Sequence, residues 1–158
     1  MKATHTFGPI YDEKSIILIL GSFPSVKSRE ISFYYGHPQN RFWKIMENIY
    51  QTSFHSIEEK KQFLHEHHIA LWDVIQSCEI QGSSDASITN IEVNDIASLL
   101  QNTNILKILV NGKKAEELYQ KYLYPKTHIP CISLPSTSPA NAAYSLERLI
   151  DIWEKELI

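Results

Sequence analysis

Residues 16–21 read Ile-Ile-Leu-Ile-Leu-Gly, and residues 22–43 continue Ser-Phe-Pro-Ser-Val-Lys-Ser-Arg-Glu-Ile-Ser-Phe-Tyr-Tyr-Gly-His-Pro-Gln-Asn-Arg-Phe-Trp. An unbroken apolar, β-branched-rich run closed by a glycine is the pattern of a strand buried on both faces of a largely parallel sheet. Its carboxyl end opens into a loop. Beyond that loop Pro38 suits a first-turn position, and Phe42, Ile45, Met46, Ile49 and Tyr50 recur at helical spacing. The segment therefore predicts strand, functional loop, then amphipathic helix.

The same alternation continues outward from it. Ser56 and Glu59 form a capping box that starts a second helix carrying Ile57, Phe63, Leu64 and His67. Residues 69–74 predict a second strand, residues 81–90 a polar surface loop with Gly82, Ser83, Ser84 and Asp85, and residues 93–101 a short helix. A third strand over 105–110 ends at Asn111-Gly112 and is backed by a helix over 113–123. A fourth strand over 129–134 runs into Pro135-Ser-Thr-Ser138. Pro139 then predicts the first turn of a closing helix reaching about residue 158, with Ser138 as its N-cap. Strands alternating with helices imply an α/β fold, and the absence of repeats or composition shifts implies one domain over 1–158.

Composition bounds what such a domain does. At 158 residues and 43% hydrophobic content the chain can bury a sizeable core. No apolar run approaches a bilayer span and no signal-peptide core follows Lys2, so a cytoplasmic, membrane-free monomer is expected. A net charge of −3 argues against coating nucleic acid by bulk electrostatics, though a local basic rim is compatible with it. Cys78 and Cys131 lack CxxC spacing, and His65-Glu-His-His68 lacks the zincin spacing, so no metal is expected.

In open α/β sheets ligands sit beyond the carboxyl ends of the strands, where loops 21–39, 72–90, 111–114 and 135–140 converge. Those loops hold the unusual residues. Phe42 and Trp43 read as core; Tyr35 and Asn40 are not explained by packing. Asp73, at a strand end, reads either as a contact to a ligand edge or as a loop-ordering acid. Asn111 reads as a ligand contact or as the turn former before Gly112, and His37 as a donor or a structural loop histidine.

These motifs carry a resemblance. Gly21-Ser-Phe-Pro, Tyr35-Gly-His-Pro-Gln-Asn-Arg-Phe-Trp43 and Leu134-Pro-Ser-Thr-Ser-Pro-Ala-Asn141 together resemble the uracil-DNA glycosylase superfamily, most closely its hypoxanthine (deoxyinosine) branch. The resemblance implies a three-layer α/β/α domain with a central, mostly parallel four-stranded sheet. It also implies a cofactor-free enzyme that flips a deaminated base from DNA and hydrolyses its N-glycosidic bond. Two departures stand out: Phe23 occupies the place where most members carry a motif Asp or Asn, and Leu134 replaces the usual histidine. Asn40 is then implied as the catalytic residue, orienting water with its oxygen or donating from its NH₂, and His37 as a donor to the departing base.

The remaining assignments follow from the same comparison. Gly21, Ser22 and Phe23 lend backbone donors and an apolar wall, Tyr35 a stacking face, and Asp73 and Asn111 contacts to the base. Ser136, Thr137 and Ser138 suit a DNA phosphate, Pro139, Ala140 and Asn141 a wedge entering the duplex, and Arg41 and Lys113 a positive rim. No lysine stands at the expected nucleophile position, which favours a monofunctional hydrolase. Two alternatives stay open: a mismatch-type uracil/thymine glycosylase, and an inactive damaged-DNA-binding module of the same fold.

Overall fold

Strand β2 (Ile17–Gly21) sits at the centre of the computed structural model, which describes residues 1–82 and 84–158. It pairs in parallel with β3 (Ile69–Asp73) on one side and β6 (Lys107–Asn111) on the other, and β7 (Cys131–Leu134) adds in parallel beyond β6. The order is β3-β2-β6-β7. Leu18 and Leu20 enter one apolar cluster and Ile19 the opposite one, all fully buried. Each such side chain contributes about 1.5–3 kcal/mol on burial, so three in succession fix this strand inside the sheet.

Helices cover both faces. Helix α1 (Val26–Ile31) lies within the loop after β2, and the apolar stripe of α2 (Phe42–Tyr50) follows. Helices α2 and α3 (Ile57–Glu66) share one cluster with the closing helix. Helix α4 (Ile96–Gln101) and α5 (Lys113–Leu118) pack on the other face. The helical path continues from α5 through a wide π-type turn at Tyr119–Leu123 into α6 (Tyr124–Thr127). This is the expected three-layer α/β/α arrangement around a four-stranded parallel sheet.

The structure adds a second sheet that the sequence reading does not contain. Strands β1 (Lys2–Thr4), β4 (Ile75–Glu79) and β5 (Thr89–Val93) form an antiparallel sheet in the order β1-β4-β5. Only Val74 separates β3 from β4. Of the loop expected over 81–90, the last residues belong to β5 and Ser83 lies outside the described residues.

Three helix starts also differ from expectation. Helix α4 begins at Ile96 rather than at residue 93, because Val93 belongs to β5 and Asp95 caps the helix by accepting the Ser98 N–H. Helix α2 begins at Phe42 rather than near Pro38, because the Asn40 side chain accepts the Phe42 N–H and turns the chain there. Helix α7 (Leu146–Leu157) begins seven residues after Pro139, with Ser145 as N-cap accepting the Arg148 N–H. Ser138 instead closes a turn by accepting the Ala140 N–H.

Trp153 anchors α7. It is fully buried against Phe42, and its indole N–H donates to the Pro135 carbonyl at 3.1 Å. Trp153→Ala is expected to cost about 3–5 kcal/mol, read as a lowered urea midpoint.

Candidate active site

The carboxyl ends of three parallel strands deliver Gly21, Asp73 and Asn111 to one cavity of about 260 Å³, closed by the loop after β7. Backbone bonds from Val74 to the Gly21 carbonyl and from Ile75 to the Ser22 carbonyl pin its base. A side chain at position 21 would collide with the Asp73 carboxylate and meet the Tyr35 hydroxyl at 3.3 Å, which is why glycine stands there. Ser22, Phe23, Tyr35, His37 and Asn40 line the same cavity.

Asn40 is held rigidly. Its Oδ1 accepts from the Phe42 N–H at 2.9 Å and from the Thr137 hydroxyl at 2.8 Å. The Phe42 donor fixes which end of the amide is oxygen, and two donors fill that oxygen's lone pairs. The NH₂ is left for the cavity. This narrows the expectation that the oxygen would orient water.

Behind Asn40 stands a directed chain. Asn111 donates from Nδ2 to Thr137 Oγ1 at 3.0 Å and accepts the Thr137 N–H on Oδ1 at 3.0 Å, while the Thr137 hydroxyl donates in turn to Asn40 Oδ1. Thr137 is 1% exposed. Its expected contact with a DNA phosphate is therefore corrected: a buried hydroxyl engaged on both sides cannot reach the backbone of a duplex.

Arg41 is corrected as well. Its guanidinium donates to the carbonyls of Thr137, Ser138, Asn141 and Tyr144, the last being the shortest contact. It is a clamp on the loop after β7 rather than part of a rim, because a planar fork of donors matches several acceptors at once. Ser136 and Ser138 accept the N–H groups of Ser138 and Ala140, so these hydroxyls shape the turn. No helix starts at Pro139, which removes the helix-terminus argument for a phosphate. Pro139 and Ala140 remain exposed at the tip, and Asn141 ties back to the Ser136 carbonyl. Lys113 lies with Lys114 in an adjoining open groove of about 860 Å³.

The remaining aromatic and polar groups are equally defined. One face of Tyr35 stacks on Phe42, with centroids 4.2 Å apart. Its hydroxyl is buried with no hydrogen-bond partner. Burial and the Asp73 carboxylate push the Tyr35 phenol well above its ordinary value, with the Asn111 amide pulling the other way. His37 accepts the Gln39 N–H on Nδ1, so its other ring nitrogen carries the proton. Asp85 accepts from the Ser22 hydroxyl at the mouth; burial raises its carboxyl above the usual range, offset by Ser22 and Lys114. Leu134 is buried in the core.

One site residue escaped the sequence reading altogether. His5, just after β1, places Nε2 2.7 Å from Asp73 Oδ2, with both side chains almost fully buried. The pairing of β1 with β4 brings it there. Its only sequence signal is a histidine following a short segment too small to register as a strand.

The family model of the uracil DNA glycosylase superfamily matches residues 8–156. The chain belongs to that superfamily. Within it, a Methanosarcina acetivorans protein named hypoxanthine DNA glycosylase is 36% identical over 94% of this chain and 94% of its own length. A Methanosarcina barkeri protein of the same name is 38% identical over 70% of this chain and 72% of its own. The solution NMR structure of a Methanosarcina acetivorans protein assigned to the uracil DNA glycosylases superposes with a TM-score of 0.80 at 35% identity, covering 94% of this chain and 92% of that one. The superfamily membership agrees with the layered fold and with a cavity at the strand ends. Among the described residues no helix is long and apolar enough to cross a membrane, and no cluster of His, Cys, Asp and Glu could hold a metal ion.

Proposed function

We propose that this chain is a DNA glycosylase that hydrolyses the N-glycosidic bond of a flipped deoxyinosine. The observation that carries the reading is Asn40, whose amide is locked by Phe42 and Thr137 with its NH₂ left to a cavity at the strand ends. The names of the two Methanosarcina relatives support hypoxanthine as the base.

Cleavage breaks the bond between C1′ and N9 and leaves its electron pair on the base. The sugar becomes oxocarbenium-like, and water adds at C1′ and loses a proton to solvent. An amide has no useful basicity near neutral pH, so Asn40 acts by position. Its N–H donates to one lone pair of the water and leaves the other directed at C1′. The protonated nitrogen of His37 serves the departing base as a hydrogen-bond donor. Lys113 and Lys114 provide positive charge along the groove beside the cavity, and exposed Pro139 and Ala140 stand where a duplex opened by base flipping would be filled.

Single-turnover assays on duplexes carrying deoxyinosine, deoxyuridine or a G·T mismatch test the assignment. Release of hypoxanthine is expected. Cleavage of uracil or thymine alone would favour the mismatch-type enzyme, and no cleavage with retained damaged-DNA binding would favour an inactive module.

The hydrogen-bond chain makes its own prediction. Thr137→Val keeps the shape but leaves the Asn111 amide and the Asn40 oxygen without their shared partner. A loss of about 1–3 kcal/mol in urea unfolding is expected, together with a fall in hypoxanthine release that exceeds any change in DNA affinity.

A further inference from the structure

A buried acid and a buried phenol meet at the base of the cavity, above Gly21. Asp73 is 3% exposed, and its Oδ2 is held by His5 Nε2 at 2.7 Å, while no described residue donates to Oδ1. That oxygen overhangs Gly21, where a side chain would strike it. The Tyr35 hydroxyl, buried and unpartnered, borders the same point. A carboxylate oxygen can only accept, and a phenol held well above its ordinary value stays protonated and has a proton to donate.

Deamination creates that pattern. In adenine the ring nitrogen N1 accepts and the neighbouring amino group donates; in hypoxanthine N1–H donates and the neighbouring O6 accepts. We propose that Asp73, oriented by His5, and Tyr35 together form the specificity determinant of this glycosylase, Asp73 Oδ1 accepting the N1–H and Tyr35 donating to O6. The assignment rests on the glycosylase reading above and goes beyond it by naming what rejects the undamaged base. Adenine would set its N1 lone pair against the carboxylate, which can only accept, and could use the phenol only by making its oxygen accept from the amino group, so the acid carries the discrimination and the phenol supports it. His5 acts as a positioning residue. Its Nδ1 is buried without a partner, which fits a ring that directs Nε2–H at Asp73.

The test uses the full chain and duplexes carrying 2′-fluoro-deoxyinosine or 2′-fluoro-deoxynebularine, in which the fluorine blocks cleavage and nebularine lacks both the N1–H and O6. The wild type is expected to bind the inosine duplex at least 10-fold more tightly. Asp73→Asn gives its oxygen to His5 and turns the NH₂ into the cavity, so the preference should fall to about unity or reverse, because the nebularine N1 accepts. His5→Leu should weaken the preference and His5→Gln, which restores a donor to Asp73, should recover it. An Asp73→Asn variant that keeps the wild-type preference overturns the proposal. If that variant does not fold, Tyr35→Phe decides, since it removes only the hydroxyl and keeps the ring on Phe42; an unchanged preference there overturns it equally. The two readings fail separately: wild-type release of hypoxanthine from unmodified deoxyinosine with an unmoved preference in the variants defeats this inference alone. No wild-type release defeats the functional reading.

Discussion

Asn40→Ala is expected to lower single-turnover release of hypoxanthine by about 10²- to 10³-fold while DNA binding changes little. The alanine removes the N–H that faces the cavity, and it also strips the Phe42 N–H and the Thr137 hydroxyl of their acceptor. Asn40→Asp separates these effects. A carboxylate accepts from both donors, so the start of α2 and the link to Thr137 survive, and the melting temperature should stay near wild type. The NH₂ is replaced by a charged oxygen that can accept but not donate. Activity falling in Asn40→Asp as far as in Asn40→Ala identifies the amide nitrogen as the working atom. Full or raised activity in Asn40→Asp would show that a donor at this position is dispensable and would overturn the role given to the NH₂.

Arg41→Ala is the second large effect. The guanidinium bridges four carbonyls of the loop between Thr137 and Tyr144, and a second backbone link joins the Arg41 N–H to Thr137. Hydrogen bonds from a charged donor contribute about 1.5–3 kcal/mol each when taken singly, and a shared clamp releases less than their sum, so a loss of about 2–4 kcal/mol is expected in urea unfolding. Arg41→Lys should recover little, because a point charge cannot address the acceptors in the geometry of a fork. The salt dependence of DNA binding distinguishes this role from a phosphate contact. It should be unchanged in Arg41→Ala, whereas loss of a phosphate partner would reduce the slope of log affinity against log salt by about one.

What the sequence made legible followed from hydrophobic continuity. The parallel strands are short apolar runs ending at Gly21, Asp73, Asn111 and Leu134, so their order along the chain and the cavity at their ends could be anticipated. The second sheet could not. Strand β4 follows β3 without a turn and mixes Gln76, Ser77 and Glu79 among apolar residues, and β5 is largely exposed, so neither shows the alternation of a half-buried strand. Missing β1 hid His5, whose importance is wholly a matter of tertiary pairing. The start of α7 was obscured by a local imitation. Ser138-Pro139 carries the chemistry of an N-cap and first turn, and Arg41, a hundred residues away from Asn141, binds the carbonyls that hold those residues in a turn instead.

Val74, the single residue between β3 and β4, has a consequence for how this site can diversify. The cavity's other walls include longer connections, the stretch carrying α1 and the crossing from β4 to β5. Insertions there can reshape the opening or the contacts with a duplex and leave both sheets intact. Asp73 has no such freedom, because one added residue would reverse the inward and outward facing of every side chain along β4 and detach β1 with it. Evolution and design alike can therefore remodel the doorway of this pocket freely, while its acid keeps a fixed address and can be altered only by exchanging the residue itself.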